Sequence, residues 1–88
     1  MAWRVEFHHK AKRELDKLDR PTKERIVRFL RERIATDENP RQVGEALSGE
    51  KGTLWKYRVG DYRLICDIQD KRISVLVLAV GHRREVYR

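Results

Sequence analysis

The sequence predicts an α+β domain: an N-terminal strand, an antiparallel helix hairpin, then a three-strand antiparallel meander, with both helices packed on one face of the sheet. Three observations carry this. Apolar residues alternate with charged ones near the start. They then recur at helical spacing between residues 11 and 34. From Leu54 onward the period returns to two. The length of 88 residues suits a single domain spanning 1–88.

Each element has its own reason. Trp3, Val5 and Phe7 alternate with Arg4 and Glu6, the pattern of a short half-buried strand. Ala11, Leu15 and Leu18 share one helical face in HKAKRELDKL. Ile26, Leu30 and Ile34 form the stripe of a second helix. Asp19 is a candidate N-cap for that helix, and Pro21 fits its first turn. DENP is expected to end it, because a residue before proline disfavours the helical region. Residues 41–53, with Gly44, Gly49 and Gly52, read as a loop. Leu54–Val59 reads as a strand, Gly60-Asp61 as a hairpin turn, Tyr62–Gln69 as a strand, Asp70-Lys71 as a turn and Arg72–Gly81 as the last strand. The last strand is apolar on both faces (Ile73, Val75, Val77 and Ala79 against Leu76, Leu78 and Val80), so a central position is expected.

Charge narrows the function. The chain holds 21 Lys and Arg against 14 Asp and Glu, a formal net charge of +7. Such a surplus favours an anionic partner. The single cysteine, Cys66, permits no internal disulfide and fits a reducing compartment. The N-terminal residues hold no apolar stretch of signal-peptide length. The run Ile73–Val80 is too short to span a bilayer as a helix. A cytoplasmic protein with no membrane partner is expected.

Strand alternation sets Trp55, Tyr57 and Val59 on one face, and Lys56 and Arg58 on the other. Arg63 joins the second set from the next strand. Gly81-His82-Arg83-Arg84 adds charge at the end of the last strand. A phosphodiester cleaved through its 2′-hydroxyl needs a base, an acid and charge stabilisation. Lys56, Arg58, Arg63 and Arg83 could supply the charge, Lys56 or His82 the base, and Tyr87 a stacking ring. The same charges also fit a plain solvated basic face.

Other chemistry fares worse. His8 and His9 are adjacent, with no further ligand at zinc spacing. Asp61, Asp67 and Asp70 read as ordinary turn acids. Cys66 falls on the apolar face and reads as packing. No Gly-rich phosphate loop is present. No metal and no cofactor are expected.

Taken with Leu47-Ser48-Gly49, Trp55-Lys56-Tyr57-Arg58, Asp61-Tyr62-Arg63, Val80-Gly81-His82-Arg83 and Glu85-Val86-Tyr87, nearly the whole chain resembles the RelE family of bacterial toxin–antitoxin systems, within the RelE/ParE superfamily. That resemblance implies a ribosome-dependent mRNA interferase, an endoribonuclease that cuts the A-site codon by 2′-hydroxyl attack. Its implied partners are a cognate antitoxin, the ribosome and mRNA. By position, Lys56 matches a lysine implicated in base catalysis. Arg63 matches the arginine that stabilises the transition state. Arg83 matches a phosphate-binding arginine that assists the leaving group, and Tyr87 a tyrosine that orients and stacks on mRNA. Arg58, His82 and Arg84 are expected to bind RNA. Arg58 stands where some members carry a second lysine, and arginine keeps the charge without the base chemistry. The chain ends at Arg88 without the long C-terminal helix of some members. Relatives on this fold include ParE-type toxins that inhibit DNA gyrase and cut no RNA. RNA cleavage without a ribosome and a non-catalytic binding module are further alternatives.

Overall fold

The computed structural model describes residues 2–47 and 53–82. Strand β1 (Arg4–Phe7) leads into helix α1 (His9–Asp16), and a three-residue link leads to helix α2 (Arg20–Phe29). A π-helical turn, Leu30–Ile34, continues α2, and Pro40–Gln42 forms one turn of 3₁₀ helix. Strands β2 (Glu45–Ala46), β3 (Leu54–Val59), β4 (Tyr62–Gln69) and β5 (Ser74–His82) follow. The sheet runs in the order β1-β5-β4-β3-β2.

The helices start where their caps place them. The Asp19 carboxylate accepts from the Thr22 amide at 3.3 Å and from the Thr22 hydroxyl at 2.7 Å, with Pro21 in the first turn. His8 caps α1, its Nδ1 accepting from the Lys10 amide at 3.2 Å. Helical residues Ala11, Leu15, Ile26, Leu30 and Ile34 bury against Tyr57, Leu64, Cys66, Ile68, Val75 and Val77 on one sheet face. Burial raises the thiol pKa of Cys66 well above its ordinary range, which fits packing and not nucleophilic chemistry.

Four features go beyond the sequence reading or correct it. β1 pairs with β5 in parallel, Arg4 opposite Ser74 and Phe7 opposite Val77, which makes β5 an inner strand. β5 begins at Ser74 and not at Arg72, because Asp70–Arg72 forms a 3₁₀ turn and Ile73 takes a positive φ of 49°. The regular helical segment ends at Ile34, before DENP.

The fourth is a bulge. Ile65 pairs with Ala79 but Cys66 pairs with Val77, which leaves Leu78 as the extra residue. The bulge reverses the alternation, so Val80 joins Val75 and Val77 on the helix-covered face and Ala79 turns to the open one.

Candidate functional site

The open face is built around the β3–β4 hairpin. Gly60 takes the positive φ of 60° that its turn requires, and the register then sets Arg58 directly opposite Arg63 and Lys56 opposite Ile65. Residues directly opposite each other in an antiparallel pair point to the same side. Arg63 is only 9% exposed, with its Nη1 donating to the Gly60 carbonyl at 3.4 Å and the Tyr62 carbonyl at 3.2 Å. Arg58 is exposed.

The segment before β2 closes one side of this cluster. Trp55 Nε1 donates to the Val43 carbonyl, and the Tyr57 hydroxyl donates to the Pro40 carbonyl at 2.8 Å. Burial raises the Tyr57 phenol pKa well above its ordinary range, so it stays a protonated donor. Arg41 holds the same segment through two contacts to the Asp70 carboxylate, at 2.8 and 3.0 Å. Gly44 takes a φ of 80°, and a Cβ there would run into the Lys56 carbonyl and the Tyr57 ring. Only glycine lets the chain lie this close to β3.

The result is a cavity of about 300 Å³ lined by Val43, Gly44, Glu45, Lys56, Arg58 and Arg63. The Glu45 carboxylate lies 3.5 Å from Lys56 Nζ. Three cations and one carboxylate thus face one space that could receive a phosphate group. A larger cavity of about 630 Å³ runs along α2, but its acids are already engaged. Asp16 pairs with Lys12 and Lys23, and Glu24 with Arg20.

The structure therefore brings together Lys56, Arg58 and Arg63. It does not bring His82 to them. His82 lies opposite Tyr62 on the helix side of the sheet, its ring edge-on to Tyr62 at 5.6 Å, while Gly81 takes the place opposite Arg63. The bulge at Leu78 is the reason. Arg83, Arg84 and Tyr87 lie outside the described residues. Sequence reasoning missed Glu45, because a strand of two residues is too short to show a period. The available signal was Gly44 directly before a charged residue. Among the described residues no three His, Cys, Asp or Glu side chains come together as a metal site, and no helix is long and apolar enough to cross a membrane.

The family model described as the ParE toxin of type II toxin–antitoxin systems matches residues 5–87. The chain belongs to the RelE/ParE superfamily of type II toxins. It is 33% identical over 88 residues to Toxin RelG of Mycobacterium tuberculosis, covering 100% of this chain and 99% of that one. It is similar to the RelBE2 toxin–antitoxin complex of the same organism, with a TM-score of 0.81, 30% identity, and 97% and 95% of the two chains covered. The isolated Escherichia coli RelE toxin matches with a TM-score of 0.74 and 27% identity, over 98% of this chain and 92% of that one. Within this superfamily, the five-stranded α+β sheet is the RelE fold.

Proposed function

We propose that this toxin is a ribosome-dependent mRNA interferase, an endoribonuclease that cuts A-site mRNA by attack of a ribose 2′-hydroxyl and is held inactive by a cognate antitoxin. The carrying observation is the opposition of Arg58 and Arg63 beside Lys56 over one cavity. Fixed cations aimed at a phosphate stabilise the charge that develops as O2′ attacks phosphorus. These side chains can supply that charge themselves, so cleavage is expected to survive chelation that leaves ribosomes intact. RelBE2 was solved as a toxin–antitoxin complex, which supports an antitoxin partner here. The reading places the toxin in the cytoplasm, where its ribosomes are.

Arg83 and Tyr87 enter by family position, and Arg84 by its charge. In this reading Arg83 holds the scissile phosphate and assists the leaving group, Arg84 binds RNA, and Tyr87 stacks on a base. His82, from the far side of the sheet, contributes RNA binding at most.

The test is primer-extension mapping of cleavage on a translated message, with and without ribosomes. Expected products end in a 2′,3′-cyclic phosphate or 3′-phosphate and a 5′-hydroxyl. Toxin-generated 5′-phosphate ends would contradict 2′-hydroxyl attack. A second reading, gyrase inhibition without RNA cleavage, draws on the ParE description of the matching family. Gyrase-dependent DNA breaks with intact message would select it.

A further inference from the structure

Strand β5 changes its facing just before it reaches the cation cluster. Cys66 pairs with Val77, and an unbroken ladder from there would set Leu78 beside Ile65 and Val80 beside Arg63. The bulge at Leu78 sets Ala79 beside Ile65 and Gly81 beside Arg63. On the open face, two large aliphatic side chains thus give way to a methyl group and a hydrogen atom. The backbone does not ask for glycine at 81, because the glycines with positive φ among the described residues are Gly44 and Gly60. Glycine weakens a strand interior, and its presence there fits a place where a ligand or another backbone comes close.

The neighbours of this gap point to a ligand. Lys56, Ile65 and Ala79 form one row across β3, β4 and β5, and Arg58, Arg63 and Gly81 form the next. Arg63 is 9% exposed, and its Nη1 alone donates, to the Gly60 and Tyr62 carbonyls. Its Nε and Nη2 have no acceptor among the described residues. A buried guanidinium with two unanswered nitrogens suits an anion. Neighbouring strands lie about 4.8 Å apart, so a phosphate held by Arg58 and Arg63 has the bare stretch of β5 within the reach of one nucleotide. Ile65, the Ala79 methyl group and the Gly81 backbone make that stretch low and apolar, which suits the face of a nucleobase. Single-stranded RNA can turn its bases out to such a surface.

We propose that Ala79 and Gly81 are specificity-determining residues, the floor on which a base next to the scissile phosphate lies. This rests on the RNA-cleaving reading above. A purine has the larger face and covers more of the floor than a pyrimidine. A side chain at position 81 would lift either base, the purine more, and draw the phosphate away from Arg58 and Arg63.

The experiment is single-turnover cleavage on ribosomes programmed with synthetic messages, using the full chain as wild type, Gly81→Ala and Gly81→Val. The messages carry a purine, a pyrimidine or an abasic nucleotide on one side of the cut and then on the other. Gly81→Ala should lose about 10–200-fold in rate on a purine, the usual worth of one methyl-sized group in a binding pocket. It should lose less on a pyrimidine. Gly81→Val should lose more on both. For one of the two flanking positions the defect should vanish when the base is absent, because nothing is left to collide with the new side chain. A defect of equal size on purine, pyrimidine and abasic messages at both positions would overturn the proposal and show that Gly81 makes room for Arg63 alone. Wild-type rates and base preference in Gly81→Val would overturn it as well. Each comparison is between messages cut by the same variant, so a lowered melting temperature does not blur it. If wild type cuts no RNA at all, the RNA-cleaving reading fails and not this proposal alone.

Discussion

Arg58 and Arg63 face each other directly across the β3–β4 hairpin, one exposed and the other 9% exposed. Like charges at such positions oppose folding, by an amount comparable to the roughly 0.2–1 kcal/mol that favourable cross-strand pairs contribute. The arrangement makes sense if an anion relieves the repulsion. Arg58→Thr is therefore expected to raise stability by a few tenths of a kcal/mol, on the order of one such pair, and to weaken RNA binding. Arg63→Ala should cost ~10²–10³ in single-turnover rate. Urea denaturation and cleavage assays on both variants check the pair. Full toxicity of both would show that the cavity is not the phosphate site.

Gly44 offers a second test, because its backbone conformation and its space both exclude a side chain. Gly44→Ala sets a Cβ against the Lys56 carbonyl and the Tyr57 ring at a φ of 80°. Strain at such a position is on the order of 1–3 kcal/mol. The variant should melt earlier, and β2 should move off β3, carrying Glu45 away from Lys56. The cleavage rate should then fall further than the loss of folded protein accounts for. A variant with wild-type melting and rate would show that the close approach is dispensable.

The fold was largely legible because its strands repeat long enough to show their period. Alternation alone gives Leu54–Val59 and Tyr62–Gln69 the bounds they have, and Asp19 caps α2 as its position before Pro21 predicts. Lys56, Arg58 and Arg63 converge because alternation and hairpin register are both local properties. What stayed hidden depends on contacts distant in sequence. The pairing of Glu45–Ala46 with β3 depends on Trp55 and Tyr57 gripping carbonyls more than ten residues away. The side taken by His82 depends on one extra residue, Leu78, which no pattern of apolar residues reveals in a strand apolar on both faces.

Where β5 runs beyond its pairing with β1, helix α1 takes over. Glu14 Oε1 accepts from the Val80 amide at 2.9 Å, just past the bulge. Val80 is 3% exposed, so the amide has little access to water without Glu14. Glu14→Ala should leave it unsatisfied and destabilise the protein by about 1–3 kcal/mol. Hydrogen exchange should report the loss locally, as faster exchange at Val80 than at Val75. Unchanged exchange at Val80 would show that the bond adds nothing. Cleavage should fall little, since Glu14 touches none of the cavity residues.

Acid should loosen the segment that carries Glu45, through Asp70. The Arg41 guanidinium, with two contacts to the Asp70 carboxylate, holds its pKa below the ordinary aspartate value. A carboxyl whose folded pKa is lowered contributes stability that is present above its unfolded value. That contribution is lost as pH falls from the ordinary aspartate range through the lowered one. Asp70 has 57% of its side chain exposed, so solvent screening keeps the effect under about 1 kcal/mol. Asp70→Asn should lower stability slightly at neutral pH and flatten part of the acid side of the stability profile. Asp16, Asp19 and Glu6 have lowered pKa values through their own hydrogen-bond donors, so the rest of the acid dependence should persist in the variant. Urea denaturation of wild type and Asp70→Asn at a series of pH values measures the difference. Parallel curves, with a constant gap from neutral to acid pH, would show that the Arg41–Asp70 pair does not titrate in this window.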